Sequence, residues 1–145
     1  MVDISDGMLD VLREKVKTHN LLNVKIEKLD LTANFEPQGS YDLICTQMTL
    51  HHIVDVEKLL AVFYQMLNQS GYLCIADLDE EDGTFHAPDF QGYYGFNQKK
   101  LSALIKEIGF GKIRNEIVFG ITKTAHDGII KTFPVFLMSA QKKSS

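Results

Sequence analysis

The sequence is poor in several things that would assign it a class at once. It has no tryptophan, and its two cysteines cannot build a disulfide framework. Cys45 and Cys74 both fall in apolar runs that read as buried strands, so they are expected as reduced core thiols of a cytoplasmic protein. Clustered basic residues are lacking, and the net charge is −4. Nothing electrostatic therefore points to nucleic acid or to an anionic membrane surface. No apolar run approaches the roughly 20 residues that a membrane-spanning helix needs. The start, Met1-Val2-Asp3-Ile4-Ser5-Asp6, lacks the basic and apolar regions of a signal peptide. There is no repeat, no phosphate loop, no serine–histidine–acid order and no Cys/His zinc spacing, and no metal is assigned.

What is present is ordinary for a globular domain: 45% apolar and 23% charged residues in a chain of 145. Residues 1–141 are expected to form a single domain, with 142–145 as a tail. Its best-defined stretch is Tyr41–Leu78. Tyr41-Asp42-Leu43-Ile44-Cys45-Thr46 is a short apolar run. From Asp55, Val56, Leu59, Leu60, Phe63 and Leu67 recur at helical spacing on one face. Gln69-Ser70-Gly71 is the expected stop, with Gly71 in a left-handed position. Tyr72–Ala76 is apolar without alternation, the pattern of a strand covered on both faces in a parallel sheet. Ligands gather at the carboxyl ends of such strands, which directs attention to Gln47–His52 and Asp77–His86.

Around that stretch, Val2-Asp3 reads as the end of a strand. Ser5 caps a helix carrying Met8, Leu12 and Val16, with Leu9 and Val11 widening the stripe. Val24 and Ile26 suggest a short strand leading to Leu29-Asp30-Leu31. Asp79–Phe96 is a long loop, and Asn97 caps a helix through Leu101, Leu104, Ile105 and Ile108 that ends at Gly109. A strand near Ile113–Phe119, a connection over Gly120–Gly128 and a last strand, Phe133–Ala140, follow. Without a helix between them, those last two strands should pair antiparallel.

Some residues read in two ways. His51 and His52 are candidates for a catalytic base, since imidazole titrates near neutrality, or they are packing and capping groups. Asp79-Glu80-Glu81-Asp82 with His86 reads as a hard-cation cluster or as a solvated acidic loop, and the latter is preferred. Phe85, Phe90, Tyr93, Tyr94 and Phe96 form a lid over a planar acceptor or pack on the sheet.

With Val2–Leu9, Leu29-Asp30-Leu31, Tyr41–His52 and Gly71–Leu78 in this order, the chain resembles the class I S-adenosylmethionine-dependent methyltransferases. Asp79–His86, Gly109-Phe110 and Phe133–Leu137 resemble their small-molecule branch. The resemblance implies an α/β fold: a Rossmann-like, doubly wound, mostly parallel sheet with an antiparallel C-terminal hairpin. It further implies a small-molecule methyl acceptor and S-adenosylhomocysteine as product.

By the same resemblance, Asp3 accepts from the ribose hydroxyls, while Ile4 and Met8 pack on the adenine. Asp30 accepts from the adenine amino group, and Leu31 offers it a backbone N–H. Gln47 and Met48 pass the methionine part, and His51, His52 and the Asp79–Phe96 loop face the acceptor.

The family's glycine-rich turn after the first strand is missing, because the chain starts where the second strand should end. Gly109-Phe110-Gly111 follows a helix and cannot serve. The expectation is therefore an N-terminally truncated domain with impaired cofactor binding. The alternatives are a non-catalytic remnant that dimerises through exposed strand edges, and another doubly wound nucleotide binder such as a nicotinamide-dependent reductase.

Overall fold

A computed structural model describes residues 1–30 and 39–143. The chain divides into two compact units, Met1–Phe35 and Glu36–Ser145. In the first, β1 (Val2–Asp3) pairs in parallel with β2 (Glu27–Lys28), and α1 (Asp6–Thr18) lies between them in sequence. Ser5 caps α1, accepting from the Met8 N–H, and Asp6 in the first turn and Lys15 and Lys17 in the last complement the helix dipole.

Two expectations change here. The strand expected around Val24 and Ile26 lies instead at Glu27–Lys28, the two residues that pair with Val2 and Asp3. On α1 the buried residue is Leu9, with Leu12 and Val16 half-buried, whereas Met8 and Val11 face solvent. The stripe is thus narrower than expected and rotated away from Met8.

The second unit holds a mixed four-stranded sheet in the order β3-β4-β6-β5. It comprises β3 (Tyr41–Gln47), β4 (Leu67–Leu78), β5 (Phe110–Thr124) and β6 (Ile130–Lys142). The β3–β4 pair is parallel, and β6 is antiparallel to both β4 and β5. The expected C-terminal hairpin is therefore present. It is longer than the sequence suggests, since β5 runs through Gly120 to Thr124. The β-branched Ile121, Thr122 and Thr124 favour that extension, and the Thr122 and Thr132 hydroxyls bond across the strands at 2.8 Å.

Two helices supply apolar faces to this unit. In α2 (Val56–Met66), capped by Asp55, the buried residues are Val56, Leu59, Leu60 and Phe63. In α3 (Gln98–Ile108), capped by Asn97, they are Leu101 and Ile105. The sheet contributes Leu73, Ile75, Phe110, Phe136 and Met138, all fully buried or nearly so.

The end of α2 departs from expectation. Leu67 is already extended, so the helix stops at Met66 and β4 begins at once. Lys142 Nζ donates to the carbonyls of Tyr64 and Leu67 at 2.7 Å each, satisfying groups that a helix end leaves open. Gly71 is needed for close approach rather than for a left-handed turn. A Cβ there would meet the Asn68 carbonyl oxygen at 2.9 Å, and Ser70 takes the positive φ instead.

The larger correction concerns β3. Its apolar run, read as a buried strand, is open to solvent, with Leu43 54% exposed and Cys45 exposed. In β4, Tyr72–Ala76, read as covered on both faces, alternates instead, with Leu73 and Ile75 buried, Cys74 half-buried and Tyr72 exposed. Among the described residues β3 has one strand partner, β4, so it is a sheet edge. An unalternating run reports apolar content, and the neighbours decide whether it is buried.

Candidate functional site

In the first unit, Asp3 ends β1 and its Oδ1 accepts from the Ser5 N–H at 2.8 Å. That bond fixes the carboxylate at the start of α1. Ile4 and Met8 are 55% and 58% exposed, apolar surface that nothing in this unit covers. Asp30 follows β2 and is half-buried. Leu31 lies outside the described residues.

In the second unit, the two polar strand ends singled out in the sequence come together. Gln47 is the exposed last residue of β3. Met48 has a φ of 48°, in the left-handed region, and its N–H donates to the Ala76 carbonyl at 2.8 Å. A non-glycine residue in that conformation stores strain, a feature that gathers at binding sites. Its side chain packs on Leu78, Ala125, Phe133 and Val135. Thr49 then leads into a short 3-10 turn, Leu50–His52.

That turn is held by Asp77, the buried polar residue near the end of β4. Asp77 Oδ2 accepts from the backbone N–H groups of Leu50 at 2.9 Å and His51 at 3.3 Å. Its Oδ1 accepts from the Leu78 N–H at 2.8 Å and lies 2.5 Å from His51 Nδ1. Both side chains are fully buried. The carboxylate thus receives all its bonds inside the protein, as a buried acid must. His51 is accordingly a positioned group and not a solvent-facing base.

His52 is exposed, and His86 from the long loop joins the pair. Ring centroids stand 4.1 Å apart for His51–His52, 5.1 Å for His51–His86 and 5.3 Å for His52–His86. Phe90 stacks on His86 at 3.9 Å. Burial first, and then the neighbouring His51 and His52 rings, push the His86 imidazole down to about 4. His52 is also held below the ordinary imidazole range, by burial and by His51. The Nε2 atoms of His51 and His86 are buried without a hydrogen-bond partner.

The Asp79–Phe96 loop is built from its own acids. Glu81 Oε2 accepts from the N–H groups of Gly83, Thr84 and Phe85 at 2.8, 3.0 and 3.2 Å. Asp79 accepts from Gln98, Glu80 from Asn97, and Asp82 pairs with Lys131. The acidic run therefore spends its carboxylates on structure. The aromatic residues divide: Phe85 packs edge-on against Phe133 and Phe96 is buried, whereas Tyr93 and Tyr94 are exposed. Gly92 lets the loop pass the histidines, since a Cβ there would lie 2.2 Å from the His51 carbonyl oxygen.

Sequence reasoning had paired His51 with His52 and missed Asp77 and His86 as their partners. The signal was present in the acid that ends the apolar run Leu73–Ala76.

A family model described as a methyltransferase domain matches residues 1–75. An uncharacterised methyltransferase of Schizosaccharomyces pombe is 27% identical over 92 residues, covering 59% of this chain and 32% of the relative. The demethylmenaquinone methyltransferase of Bacteroides fragilis is 32% identical over 81 residues, covering 55% of this chain and 33% of the relative. The chain thus spans about a third of the length of these two curated relatives.

Among solved structures, phosphoethanolamine N-methyltransferase 2 of Haemonchus contortus, in complex with S-adenosyl-L-methionine, superposes with a TM-score of 0.73 at 20% identity. That match covers 99% of this chain and 43% of the other. A Bacillus subtilis protein, YcgJ, superposes with a TM-score of 0.71 at 13% identity, covering 99% and 82%. The fold is shared, and with half of its length matched by the family model, the chain belongs to the methyltransferase-domain family.

Proposed function

We propose that this chain is the greater part of a single S-adenosylmethionine-dependent methyltransferase domain, residues 1–141, acting on a small molecule in the cytoplasm. The observation that carries the reading is the family match over residues 1–75, which spans Asp3, Asp30, Gln47 and Met48 at their strand ends. Asp3, Ile4, Met8, Asp30 and Leu31 would hold the ribose and adenine, and Gln47 and Met48 the methionine portion. The residues fit that role: a carboxylate offers two acceptor oxygens to a vicinal diol, and Ile4 and Met8 offer exposed apolar surface.

When bound, the cofactor supplies a methyl group on an electrophilic sulfonium. Such a transfer requires chiefly that the acceptor be held in line. Binding and orientation of the acceptor therefore fall to the His51–His52 turn and the aromatic Asp79–Phe96 loop, which suits a planar or apolar acceptor. His51 is fixed by Asp77 and orients; His52, exposed beside it, is the one able to exchange a proton with a bound acceptor. The relatives' names span a quinone-type and a phosphoethanolamine acceptor, so the acceptor proposed here stays at the level of a small molecule.

The 145 residues contain no glycine-rich turn after a first strand, so we expect them alone to bind S-adenosylhomocysteine weakly and to transfer poorly. Calorimetric titration of S-adenosylhomocysteine tests this, and micromolar one-to-one binding would overturn the impairment. Whatever binding is measured should fall about tenfold in Asp3→Ala, a loss of roughly 1.4 kcal/mol. An unchanged affinity would remove Asp3 from the site.

A second reading, a dimerising interaction module, is favoured by the exposed β3 edge with Tyr41, Leu43 and Cys45 on it. Light scattering across a concentration series tests it. A monodisperse monomer would remove the homodimer.

A further inference from the structure

We propose that His51, His52 and His86 form a binding site for a divalent transition-metal ion of the zinc class. One ligand nitrogen from each ring lies within 4.8 Å of the others. Two of the rings bring an unsatisfied atom to the cluster, since His51 Nε2 and His86 Nε2 are buried without a partner. His51 is 1% exposed, so this atom lies inside the protein. Leaving such an atom unpaired is unfavourable, and a metal–nitrogen bond would relieve it.

Asp77 gives the independent argument. A metal-binding imidazole characteristically donates its other ring N–H to a carboxylate, which fixes the tautomer and turns the free lone pair outward. His51 has that arrangement, with Nδ1 against Asp77 Oδ1 and Nε2 left over. Imidazole nitrogens suit zinc and its transition-metal neighbours, whereas hard cations prefer oxygen. Of the nearby acids, Asp82 binds Lys131, and Glu81 accepts three backbone N–H groups through Oε2 while its Oε1 is buried without a partner.

The nitrogens are more widely spaced than in a loaded site. With zinc–nitrogen bonds of about 2.0 Å, tetrahedral ligands stand about 3.3 Å apart. Asp77 and burial fix His51, so binding would draw His52 and His86 inward. His52 is exposed and His86 sits on the long loop, so these are the two rings that would have to move. Three protein ligands leave a fourth position open to water, on the side where His52 gives access from solvent.

The test is calorimetric titration of zinc chloride into the full chain, freed of any histidine tag, at neutral pH. One ion per chain is expected. Replacing zinc by cobalt should give the visible absorption of a tetrahedral ion. His52→Ala and His86→Ala, which change the two rings nearer the surface, should each weaken binding at least tenfold. Asp77→Asn touches no metal and should weaken it by roughly 10- to 100-fold.

Circular dichroism on each variant identifies any that fail to fold, and the two surface variants then decide. Absence of stoichiometric binding would overturn the site, as would binding that survives the His52→Ala/His86→Ala double change. S-adenosylhomocysteine binding is read separately, so failure of the cofactor assignment leaves this result standing.

Discussion

Asp77 grips His51 at two points: its Oδ2 accepts the residue's backbone N–H at 3.3 Å, while its Oδ1 stands 2.5 Å from the ring Nδ1. One carboxylate at the end of β4 therefore sets the path of the chain leaving β3 and the orientation of the imidazole on it. This couples the two parallel strand ends into a single rigid feature. The Nδ1 of His51 is committed to structure, and only Nε2 remains available for chemistry.

Asp77→Ala should be severely destabilising. It removes the acceptor of three backbone N–H groups and of the His51 ring, all in a fully buried setting. A loss of about 3 kcal/mol is expected from urea unfolding, given the cost of stranding buried donors. Asp77→Asn keeps the shape and one acceptor oxygen and should lose about half as much. Equal stability of the wild type and Asp77→Ala would show that the carboxylate does not organise this turn.

Gly92→Ala should destabilise by about 2 kcal/mol, in the range of overpacking. The added Cβ would lie 2.2 Å from the His51 carbonyl oxygen and 2.3 Å from Phe90 Cζ. The Tyr93 N–H bond to that same carbonyl, 2.8 Å long, would have to lengthen as the loop retreats. Amide exchange at Tyr93 reports the retreat directly. Unchanged protection there, with unchanged stability, would contradict the close approach.

How much of this was legible in advance depends on the range of the interaction concerned. Ser5 and Asn97 were readable because a cap acts on an N–H only a few residues away. The antiparallel hairpin was readable for a similar reason, since a short connection permits no other pairing. His51 and Asp77, by contrast, are 26 residues apart, and nothing local to either residue selects the other. His86 reaches the cluster only through a loop whose path is set by Glu81 and Gly92. The exposure of β3 was misread because burial belongs to the neighbours of a strand and not to the strand itself. The sequence did flag both polar strand ends, although it could not show that they meet.

Cys45 and Cys74 provide a chemical check on that misreading. They are register partners across β3 and β4, with Cys45 exposed and Cys74 half-buried. Burial first, and then the neighbouring Cys45, raise the Cys74 thiol above its ordinary value, which lowers its thiolate fraction. Maleimide labelling of the native protein should modify Cys45 several-fold faster than Cys74, and unfolding should equalise them. Two equally protected cysteines would restore the covered strand that the sequence suggested.

Lys131 ties the long loop to the hairpin, and its behaviour with pH is open to measurement. Its Nζ bonds Asp82 at 2.8 Å, Asp127 at 2.6 Å and Thr84 at 3.0 Å. Hydrogen bonding to Lys131 first, and then to Thr84, lowers the Asp82 carboxyl to about 2. Asp127 is lowered for the same leading reason, and Lys131 itself is raised by the two carboxylates. A depressed carboxyl contributes stability that is present above its ordinary value and lost as the pH falls through the folded value. A raised amine contributes stability that is present below its ordinary value and lost as the pH rises through the folded one. The clamp should therefore be intact across the neutral range, open in acid near pH 2 and weaken again in strong alkali. Carbon NMR of the Asp82 carboxyl should show a midpoint near 2, and Lys131→Met should return it toward 3.8. Because these groups are exposed, the change should move the local titration far more than global stability. A wild-type midpoint already at 3.8 would mean that the loop and the hairpin are not joined by this lysine in solution.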